Sequence, residues 1–386
     1  MSMNYTEKMN ELMFNQWDNL DIDNEKGIVN LLNDESVFRS FGEGLLALIK
    51  KKNPEVNADA ILAYIKSACK ESGVNEKEIG SVNTLKSWFH NGPRPKKGED
   101  SRESLFALAF ALNLTPEETA ELFHKVYLDR AFNFRNEKEI FYYFCLANKK
   151  TWKDAKRIIE SIEYDRGTDD RTLYTMAIKT AVECMEDEQE LLSYIKMHRH
   201  NLEQNNVTAK KYLAKLIEKA KKYAIKETEL PEHEGEYDGN WKKENTISIN
   251  HMYAVITETT PSTKKGTTTI FKDARLPKEI KNRFPEVTSF AEKEPTYEAI
   301  RKMIILLYSY RFWYKVQWQR KEYDIDDYVE HLNALLFECG FSLLYYGNPY
   351  DWLFLYCTLS EYPLDAFRGI LAESLEAEEI EELDEN

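Results

Sequence analysis

The chain has 386 residues, 42% apolar and 13% aromatic, with only 14 glycines and 11 prolines; this length suggests two or three domains, and so few breakers favour helices over sheets. The formal charge of −15 is polarised: Glu373–Asn386 holds eight acidic residues and no basic ones, while Lys210–Lys226 holds seven lysines against Glu218 alone. No run of 18 apolar residues occurs, and the first thirty residues carry Asp18, Asp21 and Asp23 in place of an apolar signal core, so the expectation is a cytoplasmic protein with no signal peptide and no membrane span.

Residues 1–60 read as an N-terminal helical segment, in which Leu45, Leu46 and Ile49 recur at helical spacing. Gly42-Glu43-Gly44-Leu45-Leu46-Ala47 spells G-x-G-x-x-A. It lacks the preceding strand and the βαβ frame, so it is not a dinucleotide fingerprint. Residues 61–123 begin with an amphipathic helix carrying Ile61, Leu62, Ile65 and Cys69, and Gly73 sits where a tight inter-helix turn needs positive φ. A second helix follows, ending in Asn83–His90, with Asn91-Gly92-Pro93 as its stop. Next comes the apolar stretch SLFALAFALNLTPEE. In it Thr115, Pro116 and Glu118 predict an N-cap, a first helical residue and a capping box.

Residues 124–226 read as a helical body, with a long helix after Asn206 through Lys226. Residues 227–296 gather Pro231, Gly235, Gly239, Pro261, Gly266, Pro277, Pro285 and Pro295. They read as an irregular connector, with at most a short hairpin or helix around His251–Thr257. Residues 297–372 form a C-terminal helical domain opening on Tyr297–Gln319, and residues 373–386 form the acidic tail. An internal echo links the two bodies. Asn136–Cys145 (NEKEIFYYFC) and Asn348–Cys357 (NPYDWLFLYC) align without gaps at a spacing of 212, with Asp154-Ala155-Lys156-Arg157 facing Asp365-Ala366-Phe367-Arg368 one residue out of step.

The order of elements in Ile61–Phe123 resembles the phage-repressor (Xre-type) helix-turn-helix class, on Trp88, Gly92 and Pro95 and then Leu105, Leu108, Ala109, Leu112, Leu114, Glu117 and Glu118. The resemblance covers about sixty residues of the chain. Gly80 departs from it by interrupting the second helix. The stretches YLDRAFNFRNEKEIFYYFCL, RKMIILLYSYRFWY and GNPYDWLFLYC also look like a larger group of helical bacterial proteins from Gram-positive anaerobes, a likeness that carries no function over.

The class implies a recognition helix in the major groove of double-stranded DNA. Such a helix needs short polar residues at its start and basic residues nearby to hold phosphates. Ser81, Asn83, Thr84, Lys86 and Ser87 supply the first, and Arg94, Lys96, Lys97 and Arg102 the second. From Ser81 to Arg102 five basic and two acidic residues give a local +3.

Other chemistry finds little support. Cys69, Cys145, Cys184, Cys339 and Cys357 form no C-x-x-C pair, which argues against zinc and against a disulfide framework. His198 and His200 point about 200° apart on a helix, not at one metal. No P-loop, HExxH or G-x-S-x-G occurs. The aromatic helix Tyr308–Trp318 reads as core packing, with stacking of single-stranded bases as the alternative.

The sequence reading is therefore an all-α protein: an N-terminal helix-turn-helix plus helical bundle, a long connector and a C-terminal helical domain. It is expected to be a bacterial DNA-binding regulator tied to a mobile element or phage, not an enzyme, with no cofactor, no metal and no membrane partner. Its C-terminal domain would sense or dock a protein partner, and a homodimer fits the class. Two rivals stand beside it: a protein–protein adaptor or inhibitor with a relic helix-turn-helix, and an RNA binder.

Overall fold

The computed structural model describes residues 25–33, 38, 40–89, 95, 98–161, 173, 175–202, 207–229, 247, 249–258, 297–320, 322 and 324–384. The protein is all-α. In chain order the described α-helices are α1 (Glu25–Asn33), α2 (Phe41–Lys52), α3 (Ile61–Ser72), α4 (Glu76–Ile79), α5 (Val82–Phe89), α6 (Glu99–Ala111), α7 (Pro116–Glu121), α8 (Glu137–Ala147), α9 (Trp152–Glu160), α10 (Thr175–Glu183), α11 (Glu188–Leu202), α12 (Val207–Glu227), α13 (Ile249–Thr257), α14 (Tyr297–Gln317), α15 (Ile325–Glu338), α16 (Pro349–Thr358) and α17 (Pro363–Asp384), with a π-helical turn at Leu122–Tyr127 continuing α7. None of them is long and apolar enough to cross a membrane.

Two of the predicted punctuation marks stand where helices begin and end, while the stop at Asn91-Gly92-Pro93 and the start at Asn206 lie outside the described residues. Thr115 caps α7 through Glu118 N, Glu118 returns to the Thr115 amide, and Pro116 takes the first helical position. Gly73 ends α3 at φ 71°, a left-handed position that a β-carbon disfavours. The second helix expected after Gly73 is in fact two, since Gly80 separates the single turn of α4 from α5.

The chain forms two compact units that differ from the expected division by sequence. A nested unit comprises Arg39–Thr208 with Gly340–Ser342, and an enclosing unit comprises Met1–Phe38, Ala209–Cys339 and Leu343–Asn386. Residues 1–60 are therefore not one segment: α1 belongs with the enclosing unit, where it packs on α17. Gly369 of α17 lies so close to α1 that a β-carbon there would stand 2.8 Å from the Glu25 carboxylate.

In the nested unit α3, α6, α8 and α9 surround a core of Ile61, Ile65, Leu105, Phe106, Leu108, Ile140, Phe141 and Phe144, all fully buried. Each such side chain is worth about 1.5–3 kcal/mol relative to exposure. Gly42 and Gly44, which spell the discounted motif, serve packing. A β-carbon on Gly42 would meet the Trp88 carbonyl at 2.2 Å, and one on Gly44 would meet Val126 at 3.1 Å.

In the enclosing unit Tyr310 and Trp313 of α14 are fully buried. The Trp313 ring stacks on Phe354 and its Nε1 donates to Thr358 Oγ1 at 2.9 Å. The aromatic helix is thus core, and it offers no platform for bases at these rings. α13, expected as a short piece of the connector, buries Met252, Tyr253, Val255 and Ile256 completely. Arg368 of α17 closes its C-terminal end by donating to the Val255 and Ile256 carbonyls, while holding the buried Glu227 at 2.8 Å. Of the expected connector from 227 to 296, Glu227 is the last residue of α12, and apart from residues 227–229, 247 and 249–258 the stretch lies outside the described residues.

The internal echo is a duplicated structural motif. Glu139 of α8 receives Arg102 on both oxygens at 2.8 Å, and Asp351 of α16 receives Arg301 on both at 2.9 and 2.7 Å. Each arginine also donates to one matching carbonyl, Ala131 or Leu343, and each carboxylate accepts a matching amide, Asn133 N or Tyr345 N. Asn136 and Asn348 cap the two helices. Leu128 and Gly340 both adopt left-handed φ, at 56° and 74°. Every pair in this set is 212 residues apart except the arginines, which lie 199 apart.

Candidate nucleic-acid interface

The candidate interface is built on α3, α4 and α5. α3 turns Ile61, Ile65 and Cys69 inward, and burial beside Glu76 pushes the Cys69 thiol up to about 11. Asn75 opens α4 with a capping box to Glu78, whose other oxygen accepts Trp152 Nε1 at 3.0 Å. α4 is thereby pinned to α9.

Ser81 opens α5, its Oγ accepting the Thr84 amide at 3.1 Å. The eight residues of α5 then divide by face. Leu85 and Trp88 point inward, and the Trp88 ring meets Phe41 edge-on at 4.9 Å. Asn83, Thr84, Lys86 and Ser87 are exposed, as is Ser81. Five of the nine sequence-predicted residues therefore share one solvent-facing strip. At 1.5 Å per residue α5 is about 12 Å long, comparable to the width of a DNA major groove.

The strip is not uniform in what it can offer. Ser81 Oγ and Thr84 Oγ1 lie 2.8 Å apart, and Ser87 Oγ donates to the Thr84 carbonyl at 2.8 Å. These hydroxyls shape the helix. Asn83 and Lys86 are the longer side chains on the face, and an amide and an ammonium can read base edges or a phosphate.

Of the predicted phosphate contacts, Arg94, Lys96 and Lys97 lie outside the described residues. Arg102 is a correction. It is only 6% exposed, paired with Glu139 and with Asp129 at 3.1 Å, and its guanidinium sits 4.6 Å from the Phe123 ring. Its charge is spent inside the core, so it reaches no phosphate, and without it the local surplus between Ser81 and Arg102 is +2.

Beside the start of α5 an open hollow of about 680 Å³ is lined by Cys69, Lys70, Val74, Asn75, Glu76, Lys77, Gly80 and Ser81. Lys70 and Lys77 are basic residues here that the sequence reading passed over. Their signal was position, since both flank the turn at Gly73. Among the described residues no group of three His, Cys, Asp or Glu side chains is placed to hold a metal.

Compared with family models, with curated proteins and with solved structures, the chain matches none.

Proposed function

We propose that the protein is a DNA-binding regulator that presents α5 to the major groove, with α3 and α4 as its support and no catalytic role. A link to a phage or mobile element belongs to the same reading. The observation that carries it is the division of α5, with exposed Ser81, Asn83, Thr84, Lys86 and Ser87 over buried Leu85 and Trp88. That is the distribution a recognition helix needs. The enclosing unit would receive the signal or a protein partner, and a homodimer would place two such helices on paired half-sites.

The adaptor reading gains from one observation: Arg102 is withdrawn from the surface of a chain whose net charge is −15. Retention of genomic duplex fragments across a salt series separates the two. On the DNA-binding reading, Asn83→Ala and Lys86→Ala each weaken specific binding by about 1–3 kcal/mol with the fold intact. Trp88→Ala instead destabilises the nested unit by about 3–5 kcal/mol. Specific retention that survives the Asn83/Lys86 double change would move the site elsewhere or leave the adaptor reading in its place.

A further inference from the structure

α12 carries a line of ammonium groups that the reading helix does not use. Its buried side is Leu213, Leu216, Ala220 and Ala224, and Lys210, Lys211, Lys215, Lys219, Lys222 and Lys226 are exposed on the other. At 100° and 1.5 Å per residue, Lys211, Lys215, Lys222 and Lys226 fall within an arc of about 60° along roughly 22 Å of helix.

Among the described residues, the carboxylates on or beside this helix are engaged elsewhere or lie past its end. Glu218 is held by Lys221 at 3.7 Å, and Glu338 accepts the Tyr212 hydroxyl. Glu227 is buried against Tyr310 and Arg368, and Glu229 is exposed just past the helix end. A merely solvated helix face gains from opposite charges at four-residue spacing. Here Lys211–Lys215, Lys215–Lys219 and Lys222–Lys226 set like charges at that spacing, a repulsion that a polyanion would relieve.

The rest of the helix narrows the partner. The apolar side of α12 is buried in the protein, so the helix cannot lie in a lipid interface, which needs that side free. Tyr212 and Tyr223 are half-buried, and their rings lie beneath the Lys215 and Lys226 ammoniums at 5.6 and 5.9 Å, leaving no open platform for unpaired bases. Lysine is a compact point charge without arginine's planar fork, and protein–DNA hydrogen bonds go mostly to phosphate and sugar. We propose that this face of α12 binds the phosphate backbone of duplex DNA without regard to sequence. It shares a ligand class with the function proposed above but none of its residues.

The test uses the full chain and a random-sequence duplex of about 30 base pairs, with anisotropy followed from about 50 to 200 mM salt. Replacing Lys211, Lys215, Lys222 and Lys226 together by Gln, whose helix propensity is close to that of Lys, leaves the circular dichroism unchanged. The slope of log affinity against log salt then falls by about 3–4, one counterion for each lost phosphate contact. The same four positions changed to Arg keep the slope. Asn83→Ala alters discrimination between sequences and leaves the slope alone, so failure of the reading helix and failure of this face are told apart. The proposal is overturned by an unchanged slope in the Gln variant, by a wild type that binds no duplex at low salt, or by lysine-dependent binding to phosphatidylserine vesicles alone.

Discussion

The Arg102 and Arg301 clamps share a backbone frame and differ in what surrounds it. Both fix a bidentate carboxylate against a carbonyl, an amide and an Asn-capped helix. Arg102 also takes Asp129 Oδ2 at 3.1 Å. The position 212 residues beyond Asp129 is Phe341, so no second carboxylate stands there. The shared frame is thus the carboxylate–guanidinium pair with its bonds to one carbonyl and one amide, while the acid beside Arg102 has no counterpart at the matching position.

Arginine removal is the strongest way to sharpen that difference. Arg102→Met and Arg301→Met each leave buried carboxylate behind and cost about 3–5 kcal/mol, with the larger loss at Arg102, which answers two acids. Urea midpoints measure both. The charge-free double change Arg301→Met with Asp351→Leu restores the wild-type midpoint to within about 1 kcal/mol or exceeds it, because a buried ion pair exchanged for apolar volume is often neutral or better. The same exchange of Arg102 and Glu139 does not, since Asp129 remains without its guanidinium. Equal recovery at the two sites would show that the second carboxylate contributes nothing.

A smaller effect tests the shared frame. Asn136→Ala and Asn348→Ala each remove an N-cap and cost about 1 kcal/mol, and the two values should agree if the caps are equivalent. Divergence beyond about 0.5 kcal/mol would mean that the frames differ in strength as well as in charge.

The mildest test reads the thiols. Cys145 and Cys357 are fully buried register partners; burial pushes the first up to about 12 and the second further. Cys339 is likewise raised to about 12, and only Cys184 of the five is exposed. A thiol reagent on the native protein at neutral pH therefore titrates about one group. Rapid reaction of two or more would mean that one of the buried helices opens readily.

The sequence carried the local parts of this molecule. Thr115, Pro116 and Glu118 announced α7, Gly73 announced a turn, and the echo at a spacing of 212 announced the matching helices α8 and α16 but not the arginines that clamp them, because caps, turns and short motifs are written in neighbouring residues. Arg102 could not be read the same way. Its partners Glu139 and Asp129 lie 37 and 27 residues away, so a charge counted as surface was core. The Asp154 and Asp365 stretches show the same limit: Arg157 is exposed against Glu188, whereas Arg368 is buried against Glu227. The pairing of α1 with α17 was invisible for the same reason, since nothing near Glu25 names a helix more than 300 residues away.

That last pairing sets a timetable for synthesis. α1 leaves the ribosome ahead of α17, which begins about 330 residues later; at about 5–20 residues per second that is a wait of roughly 15–65 s. Throughout it Ile28, Val29, Leu31 and Leu32, all buried in the finished protein, lack their helical neighbour. The nested unit, apart from Gly340–Ser342, has emerged well before then. α5 and the other helices of its unit are therefore made before the partner that α1 awaits.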